Sequence, residues 1–230
     1  MVTSTLRGRD FMLEKYYNKA IEDAINSLKD DGVIIIPTDT IYGLATLASS
    51  KIGIERIYSI KNRDKSKLLP IIVNSYKMLN QVADVDIDKV KKLKKYFPGA
   101  LTIVCKRKET FDYYNCETIA IRMIETPIVN RIIEGVNEPL ALTSANISNS
   151  ANIVDPMDLL DVFDGCVDCA FIEGKLTNQE STIVEIKDEQ LVLIREGKIP
   201  FDKILKEYEN DGWIWACCFY KEHIKSKDSW

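Results

Sequence analysis

Histidine is nearly missing from this chain: among 230 residues there is one, His223. Histidine-based acid/base chemistry and Ser-His-Asp or Cys-His triads are thereby close to excluded, since that residue stands alone in a tail. Other standard apparatus is missing too. No GxxxxGK[ST] phosphate loop, GxGxxG turn, HExxH pair or GxSxG elbow occurs. No apolar run approaches the ~20 residues needed to span a bilayer, and the opening MVTSTLRGRDFMLEK lacks the apolar centre of a secretory signal. The expectation is a cytosolic protein with no membrane segment. There the six cysteines, Cys105, Cys116, Cys166, Cys169, Cys217 and Cys218, are expected as reduced thiols. Cys166 and Cys169 have the spacing of half a zinc site, but no second pair completes it, and Cys217 and Cys218 fall in WIWACCFY, which reads as packing.

An excess of positive charge is absent as well: 31 Lys+Arg against 35 Asp+Glu give −4. A sequence-independent nucleic-acid binder usually shows the opposite balance, although a local basic patch stays open. With 46% hydrophobic and 29% charged residues the chain is ordinary for a globular protein, which excludes disorder and collagen-like repetition. A chain of this length buries roughly 70–75% of its unfolded surface and needs no disulfide or metal staple.

What is present is an alternation of two hydrophobic periods. Ala20, Ile21, Ala24, Ile25 and Leu28 mark one face of a helix from Tyr16 to Leu28, ended by Asp30, Asp31 and Gly32. The β-branched run Val33 to Ile36, stopped by Pro37, reads as a buried strand. PTDTIYGL, Pro37 to Leu44, follows as a polar loop, a frequent place for a ligand. Further strands are predicted at Leu68–Val73, Ala100–Cys105, Thr118–Arg122, Leu140–Thr143, Ala170–Ile172, Thr182–Ile186 and Leu191–Ile194. Helices are predicted at Gly53–Lys61, Asp88–Phe97, Pro127–Glu134, Pro156–Phe163 and Phe201–Tyr208. The last two strands are joined too closely for a crossover and imply a hairpin. The fold class is therefore α/β (α+β): a single domain with a large twisted mixed parallel/antiparallel sheet flanked by helices. We place the domain at residues 15–198 and a C-terminal helical tail at 199–230.

The chemistry-bearing residues are hydroxyls and cations at strand ends. Lys61, Arg63, Lys65 and Lys67 form a basic cluster suited to a polyphosphate, or to no more than a solvated loop. Thr143, Ser144, Asn146 and Ser148 follow a buried strand, where they can cradle phosphate oxygens or simply make a turn. Arg122 can clamp a carboxylate through both arms of its fork, and Ser181-Thr182 faces Arg195 across the predicted hairpin. Such a set suits anion binding and transition-state charge stabilisation rather than proton abstraction.

PTDTIYGL, KNR, PGALT, IAIR, TSANIS, STIVEI and LIREG, in this order, resemble the YrdC-type threonylcarbamoyl-AMP synthase family (YrdC/YciO/YwlC-like) over about residues 15 to 198. The resemblance implies an L-threonylcarbamoyladenylate synthase. This nucleotidyltransferase condenses L-threonine, bicarbonate and ATP, with Mg2+, into threonylcarbamoyl-AMP and pyrophosphate for the t6A37 modification of tRNA. The family's catalytic tetrad maps to Lys61, Arg63, Ser144 and Asn146. Its ATP contacts map to Arg63, Lys67, Thr118, Ser144, Asn152 and Arg195, and its L-threonine contacts to Thr40, Arg122, Leu142 and Ser181. No resident metal ligands are implied, and the cations Lys61, Arg63, Lys67, Arg122 and Arg195 are expected to meet in one anion-binding cleft. Double-stranded RNA, tRNA itself and the t6A transferase machinery are the partners the family suggests.

Three departures bear on substrate choice rather than on fold. Ile124 stands where relatives have proline, Asn149 where they have glycine, and Ile72 where many have a histidine that helps hold threonine. The basic loop reads KNRDKSK where relatives often have KxRP. The competing readings are a divergent YciO-like paralogue, and an RNA-binding module with a cationic concave face and no threonine-dependent adenylate synthesis.

Overall fold

Short β-branched runs that are apolar on both faces can be satisfied only inside a layered structure, and a computed structural model of the chain places them there. It describes residues 3–113, 116–148, 150–176, 179–187 and 190–209, with side chains from residue 15. Asn149 and the aromatic segment with Cys217, Cys218 and His223 lie outside the described residues.

Nine strands form one sheet: β1 (Ile34–Ile36), β2 (Gly43–Leu47), β3 (Ile71–Val73), β4 (Leu101–Lys106), β5 (Thr118–Met123), β6 (Leu140–Ser144), β7 (Cys169–Ala170), β8 (Thr182–Lys187) and β9 (Gln190–Arg195). Their order is β7-β1-β2-β6-β3-β5-β4-β8-β9. Three pairs, β1–β7, β3–β5 and β4–β8, are parallel and the others antiparallel. The sheet is mixed, as expected, and β8–β9 is the expected antiparallel pair. The helices are α1 (Thr3–Lys29), α2 (Lys51–Lys61), α3 (Tyr76–Val82), α4 (Ile87–Lys91), α5 (Pro127–Val136), α6 (Pro156–Phe163) and α7 (Phe201–Glu209). One apolar cluster joins Ala24 and Leu28 of α1, Ile128 to Ile133 of α5, Ile204 and Tyr208 of α7 and the central strands.

Several elements differ from expectation for identifiable reasons. The loop after β1 ends sooner, because Gly43 and Leu44 already belong to β2. Glycine is a poor strand former, but a side chain there would sit 2.9 Å from Leu142, so close packing against β6 requires it. The predicted helix Asp88–Phe97 stops at Lys91 and continues in i→i−3 bonds, Lys92 N to Lys89 O, Leu93 N to Val90 O and Lys94 N to Lys91 O. Lys91, Lys92, Lys94 and Lys95 would repel one another at helical spacing. Helix α3, capped by the Ser75 hydroxyl accepting from Met78 N, is too short to show a period in the sequence. Helix α5 runs through Gly135 and ends at Asn137, whose φ is 55°.

Paired residues in a ladder share a face, and the face repeats every second residue. Arg122 pairs with Ile72 and with Thr102, Thr102 with Ile183, and Ile72 with Leu140. One face of the sheet therefore carries Thr118, Ala120 and Arg122 of β5, Thr102 and Val104 of β4, and Leu142 and Ser144 of β6. Beyond β9, Gly197 N donates to Thr182 Oγ1 (3.0 Å) and Lys198 N to Glu180 O (2.8 Å), strapping the chain across residues 180–182. A Cβ on Gly197 would lie 2.4 Å from Glu180 O and 2.6 Å from the Ser181 carbonyl. Gly197→Ala is expected to lower stability by about 2 kcal/mol, read as an earlier urea midpoint with an unchanged slope.

Candidate functional site

Helix α2 ends where Asn62 takes up the left-handed region, φ 50° and ψ 48°. That turn releases Arg63 to the loop Asp64–Leu68 while Lys61 stays inside, 1% exposed. The Lys61 ammonium donates to Ser144 O, to Asn146 O (2.5 Å) and to Asn146 Oδ1 (2.9 Å). Its backbone carbonyl accepts from Ser148 N (2.9 Å). Ser144 Oγ donates to Asn146 Oδ1 (2.6 Å), and Asn146 Nδ2 donates to Ser150 O (2.7 Å). One lysine thus fixes the whole turn after β6. Arg63 is oriented by Lys67 O (3.0 Å) and Leu68 O (3.2 Å), and burial lowers its pKa.

A cavity of about 890 Å³ opens here, lined by Lys61, Arg63, Lys67, Ser144, Asn146 and Asn152 together with Asp64, Glu180, Glu196 and Gly197. Three of the expected cations meet in it. Arg122 and Arg195, expected in the same cleft, do not line it, nor do Thr40, Thr118, Leu142 and Ser181. Thr118 lies about 13 Å along β5 from Arg122, paired with Lys106 of β4.

Arg122 heads a second cluster. It is 6% exposed and donates from Nε to Gly99 O (3.1 Å), from Nη1 to Thr40 Oγ1 (2.9 Å) and from Nη2 to Asp39 Oδ1 (2.6 Å). Burial lowers its pKa, Asp39 works against that, and Arg195 adds to it. Gly99, at φ 138°, turns its carbonyl toward the guanidinium, which gives the PGALT turn its role. Beside Arg122, the Thr102 and Ser181 hydroxyls are 2.8 Å apart. Arg195 donates to Ser181 O (3.0 Å) and pairs with Glu180 (2.5 Å). Leu142 N is held by Pro70 O at 2.9 Å. The sequence had not singled out Asp39, Gly99, Thr102 and Glu180. The one available signal was that Asp39 and Gly99 sit inside the motifs PTDT and PGALT.

These motifs have counterparts elsewhere. The profile of the Sua5/YciO/YrdC family, described as "Telomere recombination", matches residues 26–197. The chain belongs to that family. It is 32% identical over 199 residues to a Methanocaldococcus jannaschii protein named provisionally as a threonylcarbamoyl-AMP synthase, covering 84% of this chain and 93% of that one. The structure of Pyrococcus abyssi Sua5 complexed with L-threonine superposes with a TM-score of 0.75 at 28% identity, over 83% of this chain and 57% of that one. Escherichia coli YciO gives 0.74 at 25%, over 81% and 93%. The chain spans about half the length of the P. abyssi relative and nearly all of the other two.

The chain thus presents two clusters: a cavity floored by Lys61 and a buried guanidinium fork at Arg122. Of the departures, Ile72 is buried beside Arg122 on the same face, and Ile124 is buried just after β5. Burial first, and Arg63 second, push the Lys61 ammonium down to about 7, with Glu180 acting the other way. Between pH 7 and its ordinary 10.5, the unfolded chain holds a proton that the folded one has released. Folding stability therefore rises with pH across that window, by up to about 1.4 kcal/mol per pH unit from this group. Lys61→Met is expected to flatten the curve there, measured by urea unfolding at pH 7 to 10.

Proposed function

We propose that this chain is an L-threonylcarbamoyladenylate synthase, joining L-threonine, bicarbonate and ATP with release of pyrophosphate to supply the t6A37 modification of tRNA. The observation that carries the reading is the adjacency, on one sheet face, of the Lys61–Ser144–Asn146 cavity and the Arg122–Thr40 fork. The threonine-complexed relative supports assigning the fork to the amino acid.

ATP would enter the cavity, its phosphates meeting Arg63 and Lys67 and the hydroxyl and amide groups of Ser144 and Asn152. Arg195, at the cavity's edge through its pairing with Glu180, and Thr118, at the start of β5, would complete its contacts. Mg2+ would travel with ATP. Among the described residues no three His, Cys, Asp or Glu side chains group to hold a metal, and magnesium commonly rides on substrate phosphates with one or two carboxylates. Asp64 and Glu196 line the cavity and would be the carboxylates that meet it.

Threonine would place its carboxylate on Arg122 with the Thr40 and Ser181 hydroxyls beside it and the Leu142 backbone at the back. Its ammonium first loses a proton; the amine then attacks the bicarbonate carbon, and a second N–H proton leaves with the expelled hydroxide as water, giving N-carboxythreonine. The new carboxylate oxygen attacks the α-phosphorus, and the bond to the β-phosphate oxygen breaks to release pyrophosphate. The chain's own part is to hold two anions side by side and to stabilise charge on the phosphates, which explains why no histidine is needed. We assign the unstable product to a tRNA-modifying transferase acting in the same compartment.

The test is to incubate the chain with ATP, Mg2+, bicarbonate and single amino acids, following pyrophosphate and adenylate. A threonine-dependent adenylate is expected; none, with salt-sensitive tRNA binding instead, overturns the reading. In the same assay Arg122→Ala is expected to raise the KM for threonine about 30-fold with the KM for ATP little changed. Arg63→Ala is expected to do the reverse. The size corresponds to about 2 kcal/mol for a lost charge-assisted contact.

A further inference from the structure

We infer that Asp39 is the residue that recognises the α-ammonium group of the amino-acid substrate, so that the Asp39–Arg122 pair binds an intact zwitterion rather than a carboxylate alone. This deepens the assignment of the Arg122 fork to an amino acid and rests on it.

The argument begins with what the ion pair leaves unused. A guanidinium has five N–H bonds. Arg122 spends three of them, on Gly99 O, Thr40 Oγ1 and Asp39 Oδ1. Two N–H bonds of a side chain 7% exposed thus have no acceptor among the described residues. A purely structural pair of this burial is normally bidentate, because each unmet donor on a buried charge is costly. Here one carboxylate oxygen meets one nitrogen, and Asp39 Oδ2 has no partner among the described residues. The Asp39 side chain keeps 23% exposure. The pair therefore offers free donors on one member and a free, reachable acceptor on the other. An α-amino acid carries the matching charges separated by a single carbon.

The loop holds Asp39 in place for this. Thr38 Oγ1 accepts from Thr40 N (3.1 Å) and Ile41 N (3.1 Å) and donates to Ile41 O (2.6 Å), closing a stapled turn. Lys198 Nζ, from the strap after β9, donates to Asp39 O (2.9 Å). A side chain on a turn fixed from both sides loses little freedom when a ligand arrives. The net charge of the pair is near zero, so a lone carboxylate gains less from it than a zwitterion does.

The test is calorimetric titration of the full chain and of Asp39→Asn with two ligands. One is L-threonine; the other is (2S,3R)-2,3-dihydroxybutanoate, which replaces the ammonium with a hydroxyl. The wild type is expected to prefer threonine. Asp39→Asn should weaken threonine about tenfold while leaving the hydroxy acid unchanged or tighter, since Arg122 is then less neutralised; the preference should fall about tenfold or more. Tighter binding of both ligands would make Asp39 a mere competitor for Arg122, and weaker binding of both a structural prop. Either outcome, or no change, overturns the inference. ATP affinity and the urea midpoint of Asp39→Asn check that the fold is intact, and Asp39→Glu should restore part of the preference. If the wild type ignores threonine but takes another α-amino acid, the proposed substrate fails. The same comparison with that amino acid and its hydroxy analogue then still decides the role of Asp39.

Discussion

A guanidinium buried in the middle of a sheet face must be answered from outside its own strand, and Arg122 imposes that requirement on everything around it. Its neighbours across the ladder, Ile72 and Thr102, cannot supply a negative charge. The loop between β1 and β2 therefore folds over the face to deliver Asp39 and Thr40, and the turn before β4 swings the Gly99 carbonyl inward. Both segments are polar chain laid over a buried sheet, and three of their oxygens, from Asp39, Thr40 and Gly99, end on this one cation. Removing such a charge's partner costs more than the pair gains, so the cation adds an electrostatic hold to the loop's own stapled turn.

Lys61 plays the equivalent part for the cavity. Its three donors all end on residues 144 and 146, so it acts on the cavity chiefly by fixing the turn that faces it. What faces the cavity is then a set of small hydroxyl and amide groups whose orientation is already fixed, with Arg63 and Lys67 as the directly available cations. Preorganised polar groups in front of a desolvated charge are the arrangement that favours charge developing in a transition state.

The long-period features of this architecture were legible in the sequence and the short ones were not. Val33 to Ile36 and Leu140 to Thr143 announce themselves as short apolar runs stopped by polar chain, and Thr118 to Arg122 as short apolar residues alternating up to an arginine. Strand β2 hides because its first residues, Gly43 and Leu44, continue a turn motif, and the lysine-rich segment after Asp88 misleads because its charge repulsion outweighs its period. The site behaves likewise. Lys61, Arg63, Ser144, Asn146 and Arg122 are visible as unusual residue types at strand and helix ends. Asp39, Thr102 and Glu180 are ordinary residues that acquire meaning only from what the register sets beside them. The cations were expected in one cleft, and the structure sorts them into two neighbouring clusters because Arg122 leaves the end of β5 while Lys61 and Arg63 leave the end of α2.

The way each cation is held also weighs against an RNA-binding face. Affinity for a nucleic-acid backbone comes from exposed Lys and Arg that exchange counterions for phosphates. Here Lys61 and Arg122 are buried, Arg195 is paired with Glu180, Arg63 is tied to two carbonyls, and Asp64, Glu180 and Glu196 share the cavity wall. A long polyanion lying across this face would meet those carboxylates before it met the charges behind them. A compact anion carrying its own divalent cation would meet the cations with its phosphates and the carboxylates with its metal. The same mixture of signs that gives the chain an unremarkable total of −4 thus disfavours a long nucleic-acid strand and agrees with the nucleotide proposed above.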